Sequence, residues 1–262
     1  MLASVEPSSA GEHLEAVALD VAQLAAQLVR ESVGQAAAAG TKSTPTDVVT
    51  ATDVESESLI RSELLARCPG STIVGEELAD DVGTNAVGWV VDPIDGTVNF
   101  LYDLPVIAVS IAATIHGKTV AGAVCDVLRG DVFSAAIDAG ARRNGAAIRA
   151  RTPGSLGDSL IGTGFAYAAE RRREQTEILT RLLPQARDIR CMGSAALNLC
   201  WVACGRLDGY YEQDTKPYDY AAGALIAAEA GARVEVPAQN QLDLSIAAAP
   251  TIFDELLRLI NS

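Results

Sequence analysis

The chain has 262 residues, about twice the commonest domain size, so one large domain or two closely packed lobes around a substantial core is expected. Hydrophobic residues make up 49% of it and charged residues 21%, which excludes a disordered or collagenous chain. Acids outnumber bases 34 to 20, and a net charge of −14 repels nucleic-acid phosphates and anionic lipid, so neither is an expected partner.

Residues 11–33 carry Leu14, Val17, Ala18, Val21, Leu24, Ala25 and Leu28 at a helical period. Residues 40–50 are polar and hold Pro45, which predicts an exposed loop or short hairpin. A second helix is predicted from Thr52 to Arg67, with Val54, Leu59, Ile60, Leu64 and Leu65 on one side, ended by Pro69-Gly70. From Thr72 to Ile148 the texture turns to short β-rich runs. Trp89–Val91, Val106–Ile115, Thr119–Val127 and Val132–Ala136 are separated by Gly, Asp and Asn, with a hairpin at His116-Gly117-Lys118.

Residues 151–158 are the most linker-like and divide the chain into two lobes of a single compact unit. The lobe at 1–150 reads as α+β with an antiparallel sheet. In the lobe at 151–262, helices near 172–184, 194–204, 219–230 and 250–260 alternate with strands near 159–163, 208–212 and 245–248, giving an α/β character.

Several chemistries are excluded at once. The best apolar run, Val106–Ile115, falls short of the ~18 residues of a membrane span. No basic stretch precedes an apolar block near the N-terminus, so no secretion signal is expected. Five cysteines without a CxxC pair read as reduced thiols in a cytoplasmic protein, with Cys200 and Cys204 packing in the core. Only His13 and His116 are present, one near a frayed start and one in a turn, so neither a zinc site nor a Ser-His-Asp triad is expected.

The informative segment is Trp89-Val-Val-Asp92-Pro-Ile-Asp95-Gly-Thr97-Val-Asn99-Phe100. A strand ends at Asp92, and Pro93 stops its ladder. Two carboxylates three residues apart at the mouth of a buried strand cannot both stay charged without a counter-ion. A hard divalent cation such as Mg²⁺ supplies one. A helical turn opening at Gly96 and Thr97 would aim its N–H groups at the same spot, a phosphate site. Read alone, Asp-x-x-Asp-Gly is more often a tight turn, Asp53 and Asp219 are N-caps, and Glu76 is a solvated acid. Read together, Asp53 opens the second helix, Gly75-Glu76-Glu77 follows Thr72-Ile73-Val74, and Asp219 precedes a helical run. Acids gathered at strand ends and helix starts are what a multi-metal phosphoryl-transfer site needs.

With these segments the chain resembles the inositol monophosphatase family. The resemblance rests on Gly-Glu-Glu at 75–77, Asp-Pro-Ile-Asp-Gly-Thr-x-Asn-Phe at 92–100 and Asp-x-Ala-Ala-Gly at 219–223. Lys-Ser-x-Pro-x-Asp-x-Val-Thr-x-x-Asp at 42–53 and Gly-Ser-Ala-Ala-Leu-x-Leu-Cys at 193–200 extend it over nearly the whole chain. Gly162-Thr-Gly-Phe165 and Leu207-Asp-Gly-Tyr-Tyr-Glu212 bring it nearest the bacterial inositol-1-monophosphatase branch.

The resemblance implies a layered αβαβα sandwich. It implies two to three Mg²⁺ ions: the first on Glu76, Asp92 and the Ile94 carbonyl, the second on Asp92, Asp95 and Asp219, a weaker third on Glu76 and waters. Thr97, with Asp53 behind it, would orient or deprotonate the attacking water. The Gly96 and Thr97 N–H groups would hold the phosphate. Asp95, Asp219, Glu212 and the backbone around Gly193, Ser194 and Ala195 would grip the sugar, with Lys42 on a loop near the site. Tyr218 stands where the family usually has Trp, which alters the aromatic lid over the substrate. Arg171-Arg172-Arg173, a charge run at a helix start, reads as a solvated face outside the site.

The expected activity is Mg²⁺-dependent hydrolysis of myo-inositol 1-phosphate or a related small-molecule phosphate. The alternatives are a family phosphatase acting on fructose bisphosphate, adenosine 3′,5′-bisphosphate or histidinol phosphate, and a catalytically idle binding protein on the same fold. Lithium inhibition and a homodimer are further family expectations. A structural Ca²⁺ site has no matching loop motif.

Overall fold

The first helix, α1 (Pro7–Glu31), forms because Leu14, Val17, Ala18, Val21, Ala22, Ala25 and Val29 recur on one face, where all are buried. Leu24, on the same predicted stripe, turns outward and is 42% exposed. A computed structural model describes residues 7–35, 38–41, 48–240 and 243–262. The segment expected as a loop or short hairpin contains antiparallel strands β1 (Ala38–Thr41) and β2 (Val48–Thr50), while Lys42 lies outside the described residues. Helix α2 (Ala51–Arg67) follows directly.

Helices α1 and α2 cover one face of a seven-stranded sheet. Its strands lie in chain order: β3 (Thr72–Gly75), β4 (Val87–Asp95), β5 (Ala108–Ile115), β6 (Lys118–Asp126), β7 (Val132–Ala136), β8 (Ala141–Arg143) and β9 (Ala146–Ala147). β3 runs parallel to β4, and the remaining neighbours pair antiparallel. A short helix, α3 (Thr97–Leu101), leaves the end of β4.

Beyond residue 147 the chain builds a second, five-stranded sheet. Its elements are β10 (Leu160–Thr163), α4 (Ala169–Leu182), β11 (Asp188–Cys191), α5 (Ala195–Ala203), β12 (Gly209–Gln213), α6 (Pro217–Glu229), β13 (Arg233–Glu235), β14 (Leu244–Ala248) and α7 (Phe253–Asn261). The strand order is β11-β10-β12-β14-β13, parallel through β12 and antiparallel beyond it. Helices α5 and α6 fill the space between the two sheets, and α4 and α7 pack together on the outer side. The result is the five-layer αβαβα order. Among the described residues no helix is long and apolar enough to cross a membrane.

Three departures from the sequence reading have local causes. The buried stripe of α2 is Asp53, Ser56, Glu57, Ile60, Arg61 and Leu64, whereas Val54 is 40% exposed. The apolar pattern therefore misplaced this helix's inner face over its first two turns. Strands β8, β9, β11 and β13 have two to four residues and no alternating run, so neighbours supply their register.

The third departure shapes the site. β4 does not end at Asp92 but continues through Pro93 to Asp95, with an irregularity between those two acids. Asp92 pairs with Ser110 and Asp95 with Ala108, so three steps on β4 match two on β5. Pro93 has no N–H to give the ladder, and the extra residue forms a bulge there. That reverses the side-chain alternation, so Asp92 and Asp95 share a side that regular pleating would deny them.

Helix α6 sits close against both β6 of the first sheet and its neighbour α5. A Cβ placed on Gly122 would lie 2.9 Å from the Ala222 Cα, and one on Gly223 would lie 2.8 Å from the Leu199 Cβ. Gly122→Ala is expected to lower unfolding stability by about 1–3 kcal/mol, the usual cost of overpacking. Urea denaturation measures it, and an unchanged midpoint would contradict this close approach.

Candidate active site

The sequence folds locally so that helix and strand ends meet at one spot. Gly96 follows β4 at φ +99°, and a Cβ there would lie 2.8 Å from the Val106 carbonyl oxygen, so only glycine turns this corner without strain. The next residue, Thr97, places its hydroxyl 3.1 Å from both Asp53 Oδ1 and the Ile94 carbonyl oxygen. Asp53 is the third residue of α2, not its N-cap. Thr50 is the cap, and Asp53 accepts from the Thr50 N–H at 2.9 Å and from its hydroxyl. One carboxylate thus completes a capping box and holds Thr97.

Asp219 repeats this arrangement in α6. It too is the third helical residue, and the Lys216 N–H donates to its Oδ2 at 2.5 Å. Asp95 is held from outside β4, by the start of α5. The Ser194 hydroxyl donates at 2.5 Å, the Ala196 N–H at 2.7 Å and the Ala195 N–H at 3.2 Å. The preceding turn is tied down by Asn99, whose Nδ2 donates to the Val106 and Met192 carbonyls at 2.8 Å each. Gly193 adopts φ +77° against that amide. Asp92 accepts the Ile94 N–H at 3.0 Å, and Glu76 lies within hydrogen-bond reach of Asp92.

The electrostatics follow from burial. Burial first, then the charges of Glu76, Asp95 and Asp219, hold the Asp92 carboxyl well above the usual range. Asp219 is also held well above it, by burial first, against the Lys216 N–H bond. Burial pushes Asp95 up to about 6 although its three donors pull the other way. Glu212 is pushed up to about 7 by burial, against the Tyr210 hydroxyl that donates to it at 2.9 Å. Gly164 lies against the Glu212 carboxylate, and a Cβ there would fall 2.0 Å from Oε2 and displace it from its present place.

These acids line the inner end of a cleft of about 960 Å³, with Glu76, Asp95, Glu212 and Asp219 joined by Gly193, Ser194, Ala195 and Tyr218. Asp92 and Thr97 are buried, 1% and 8% exposed. Neither histidine lines this cleft.

Some cleft residues carried no readable signal. Arg171 and Arg172 border the cleft, Arg172 with its side chain exposed and Arg171 paired with Asp214 through contacts of 2.9 and 3.1 Å. Arg173 is exposed as well and does not border the cleft. Behind the cleft, Tyr210 lies buried against Glu212 within the 207–212 segment, and the α2 pair Glu57 and Arg61 was unmarked. A Glu and an Arg four residues apart is the usual spacing of an exposed helical pair.

Among the described residues no three acidic, cysteine or histidine side chains stand as a ready-made coordination shell. Asp92, Asp95 and Asp219 are bonded to protein N–H groups instead. The donor chemistry nevertheless fits a hard divalent cation: carboxylate and carbonyl oxygens only, with charges that raise one another's protonation.

Residues 11–258 match the inositol monophosphatase family. The inositol-1-monophosphatase of Mycobacterium leprae is 47% identical, with 97% of this chain and 96% of that protein covered. The solved structure of Mycobacterium tuberculosis SuhB is 45% identical, covers 96% of each chain and superposes with a TM-score of 0.83. The extragenic suppressor protein suhB of Bartonella henselae is 30% identical, covers 95% of this chain and 99% of that one, and reaches a TM-score of 0.89. Sequence, fold and the assembled acids agree: the chain belongs to the inositol monophosphatase family.

Proposed function

We propose that this chain is a Mg²⁺-dependent phosphomonoesterase that hydrolyses inositol 1-phosphate to inositol and phosphate. The observation that carries the reading is the gathering of Glu76, Asp92, Asp95 and Asp219 beside the Thr97–Asp53 pair at the inner end of one cleft. The name inositol-1-monophosphatase borne by a relative 47% identical over nearly the whole chain supports the same substrate.

In this reading Glu76, Asp92, Asp95, Asp219 and the Ile94 carbonyl hold two to three Mg²⁺ ions. When bound, the cation neutralises these carboxylates and acts as a Lewis acid toward the phosphate oxygens. Thr97 donates its hydroxyl proton to Asp53, which leaves an oxygen lone pair to accept a proton from the attacking water. Gly96 and Thr97 offer backbone N–H groups to the phosphate. Glu212, with Ser194 and Ala195, receives the inositol hydroxyls. Tyr218 on the cleft wall replaces the family's usual Trp, so the ring over the substrate keeps its apolar face and gains a hydroxyl. Lithium would inhibit by taking a cation position beside Asp219.

Phosphate release should require Mg²⁺ and favour inositol 1-phosphate over fructose 1,6-bisphosphate, adenosine 3′,5′-bisphosphate and histidinol phosphate. Preference for another of these phosphates would keep the mechanism and displace the inositol assignment. No turnover of any would leave a binding protein. Asp95→Asn is expected to lower kcat/KM by about 10²–10³-fold, and Thr97→Ala to lower kcat by about 10²–10⁴-fold with little change in KM. Steady-state kinetics of a folded Asp95→Asn enzyme with full activity would overturn the metal assignment.

Protonation gives an independent check on the same acids. Glu212 ionises at about 7 in the fold, against an ordinary 4.5, so the folded state binds its proton more tightly than the unfolded chain does. The stability this contributes is complete below about 4.5 and is lost as pH rises through about 7. Chelator-treated protein should therefore melt at progressively lower temperature across that window, with a shallower fall in Glu212→Gln. An identical slope in the variant would exclude Glu212 as its source.

A further inference from the structure

Helix α2 carries three fully buried polar residues within two turns: Asp53, Ser56 and Glu57. Each grips a different part of the site. Asp53 meets Thr97, and the Ser56 hydroxyl donates to the Pro93 carbonyl at 3.2 Å, between the two acids of β4. Glu57 faces the turn that follows β3. Its Oε2 accepts the Glu77 N–H at 2.7 Å, and its Oε1 accepts the Leu78 N–H at 3.2 Å.

Arg61 locks that carboxylate in turn. Its Nε donates to Glu57 Oε1 at 2.8 Å, Nη1 to Asp81 at 2.7 Å, and Nη2 to the Leu78 carbonyl at 3.1 Å. On the other side, Gly75 has no room for a side chain: a Cβ there would lie 2.1 Å from Glu57 Oε1 and 2.9 Å from Arg61 Nη2. The backbone is therefore clamped immediately before and after Glu76.

We propose that Glu57 and Arg61 are positioning residues that hold the Glu76 carboxylate against Asp92. The inference rests on Glu76 being a Mg²⁺ ligand, as argued above. Three neighbouring acids repel Glu76, and a glutamate on a free turn would swing toward water. Fixing its backbone removes that escape. A buried Glu–Arg pair is a poor means of stabilising a fold, because desolvating both charges offsets their attraction. What this pair supplies is direction, as partners beyond the direct ligands do at metal sites.

The test uses full-length protein stripped of metal, with Mg²⁺ alone as the probe, and reads the Mg²⁺ concentration that gives half of the maximal rise in melting temperature. Glu57→Gln keeps the side-chain volume and loses the charge. It is expected to raise that concentration by about tenfold or more, the usual cost of removing such a partner, while kcat at saturating Mg²⁺ recovers most of the wild-type value. Arg61→Lys, which keeps the charge and loses the fork, should shift it in the same direction by less, and decides the matter should Glu57→Gln not fold. Leu64→Ala, a core cavity on the same helix, should lower the metal-free melting temperature and leave the Mg²⁺ concentration unchanged. If Glu76→Gln shifts the value and neither positioning variant does, positioning by Glu57 and Arg61 is overturned and the ligand reading stands. If Glu76→Gln does not shift it either, both fall together.

Discussion

Carboxyl groups crowded into one poorly hydrated cleft repel one another, and the surrounding architecture is arranged around that repulsion. Asp92, Asp95, Asp219 and Glu212 all hold their protons above the ordinary range because burial weakens the water that would otherwise solvate their charges. Among the described residues no arginine or lysine side chain donates to these four; Lys216 meets Asp219 through its backbone N–H alone. Their donors are hydroxyls and backbone N–H groups, which orient a carboxylate without cancelling it. A ligand that carries positive charge is what would let these acids release their protons together.

Helix starts share in this work. The N-terminal turns of α2, α5 and α6 each present N–H groups to one acid of the site, namely Asp53, Asp95 and Asp219. The positive end of a helix favours a nearby anion by about 0.3–1 kcal/mol. Three such ends, set by Thr50, Ser194 and Lys216 as caps, fix two helix-borne acids and the last residue of β4. The bulge at Pro93 adds what no helix could supply, by placing Asp92 and Asp95 on a common side of β4.

The parts that a linear reading found were those in which residue type and position coincide. Apolar periodicity revealed α1, and the Asp92-Pro-Ile-Asp95-Gly96-Thr97 run announced a charged strand end next to a turn. Other parts required a partner distant in sequence. Glu57 and Arg61 have the spacing of a solvent-facing pair, and only the turn at Glu77 and Leu78 makes them interior. Arg171 reads as surface, and the pairing with Asp214, 43 residues away, that sets it at the border of the cleft could not be read from the run itself. The inner face of α2 went unread for a related reason: its first two turns bury polar groups, so hydrophobic pattern points the wrong way where the helix serves the site. The bulge was hidden because proline reads as the end of a strand, although the ladder here resumes two residues later.

The close approach of Gly122 to Ala222 also bears on motion. Asp219 belongs to α6, whereas Asp92 and Asp95 belong to the first sheet, so the cluster is held together only while helix and sheet keep their register. With α6 seated against β6 at a glycine, and Gly223 against Leu199 on the other side, the contact has no slack for the helix to shear along the strands. The acids from the two halves of the chain are thus tied together by direct packing of α6 against β6. Shear of the helix across the sheet would pull Asp219 away from Asp92 and Asp95, so the packing at these two glycines bears directly on the spacing of the acids.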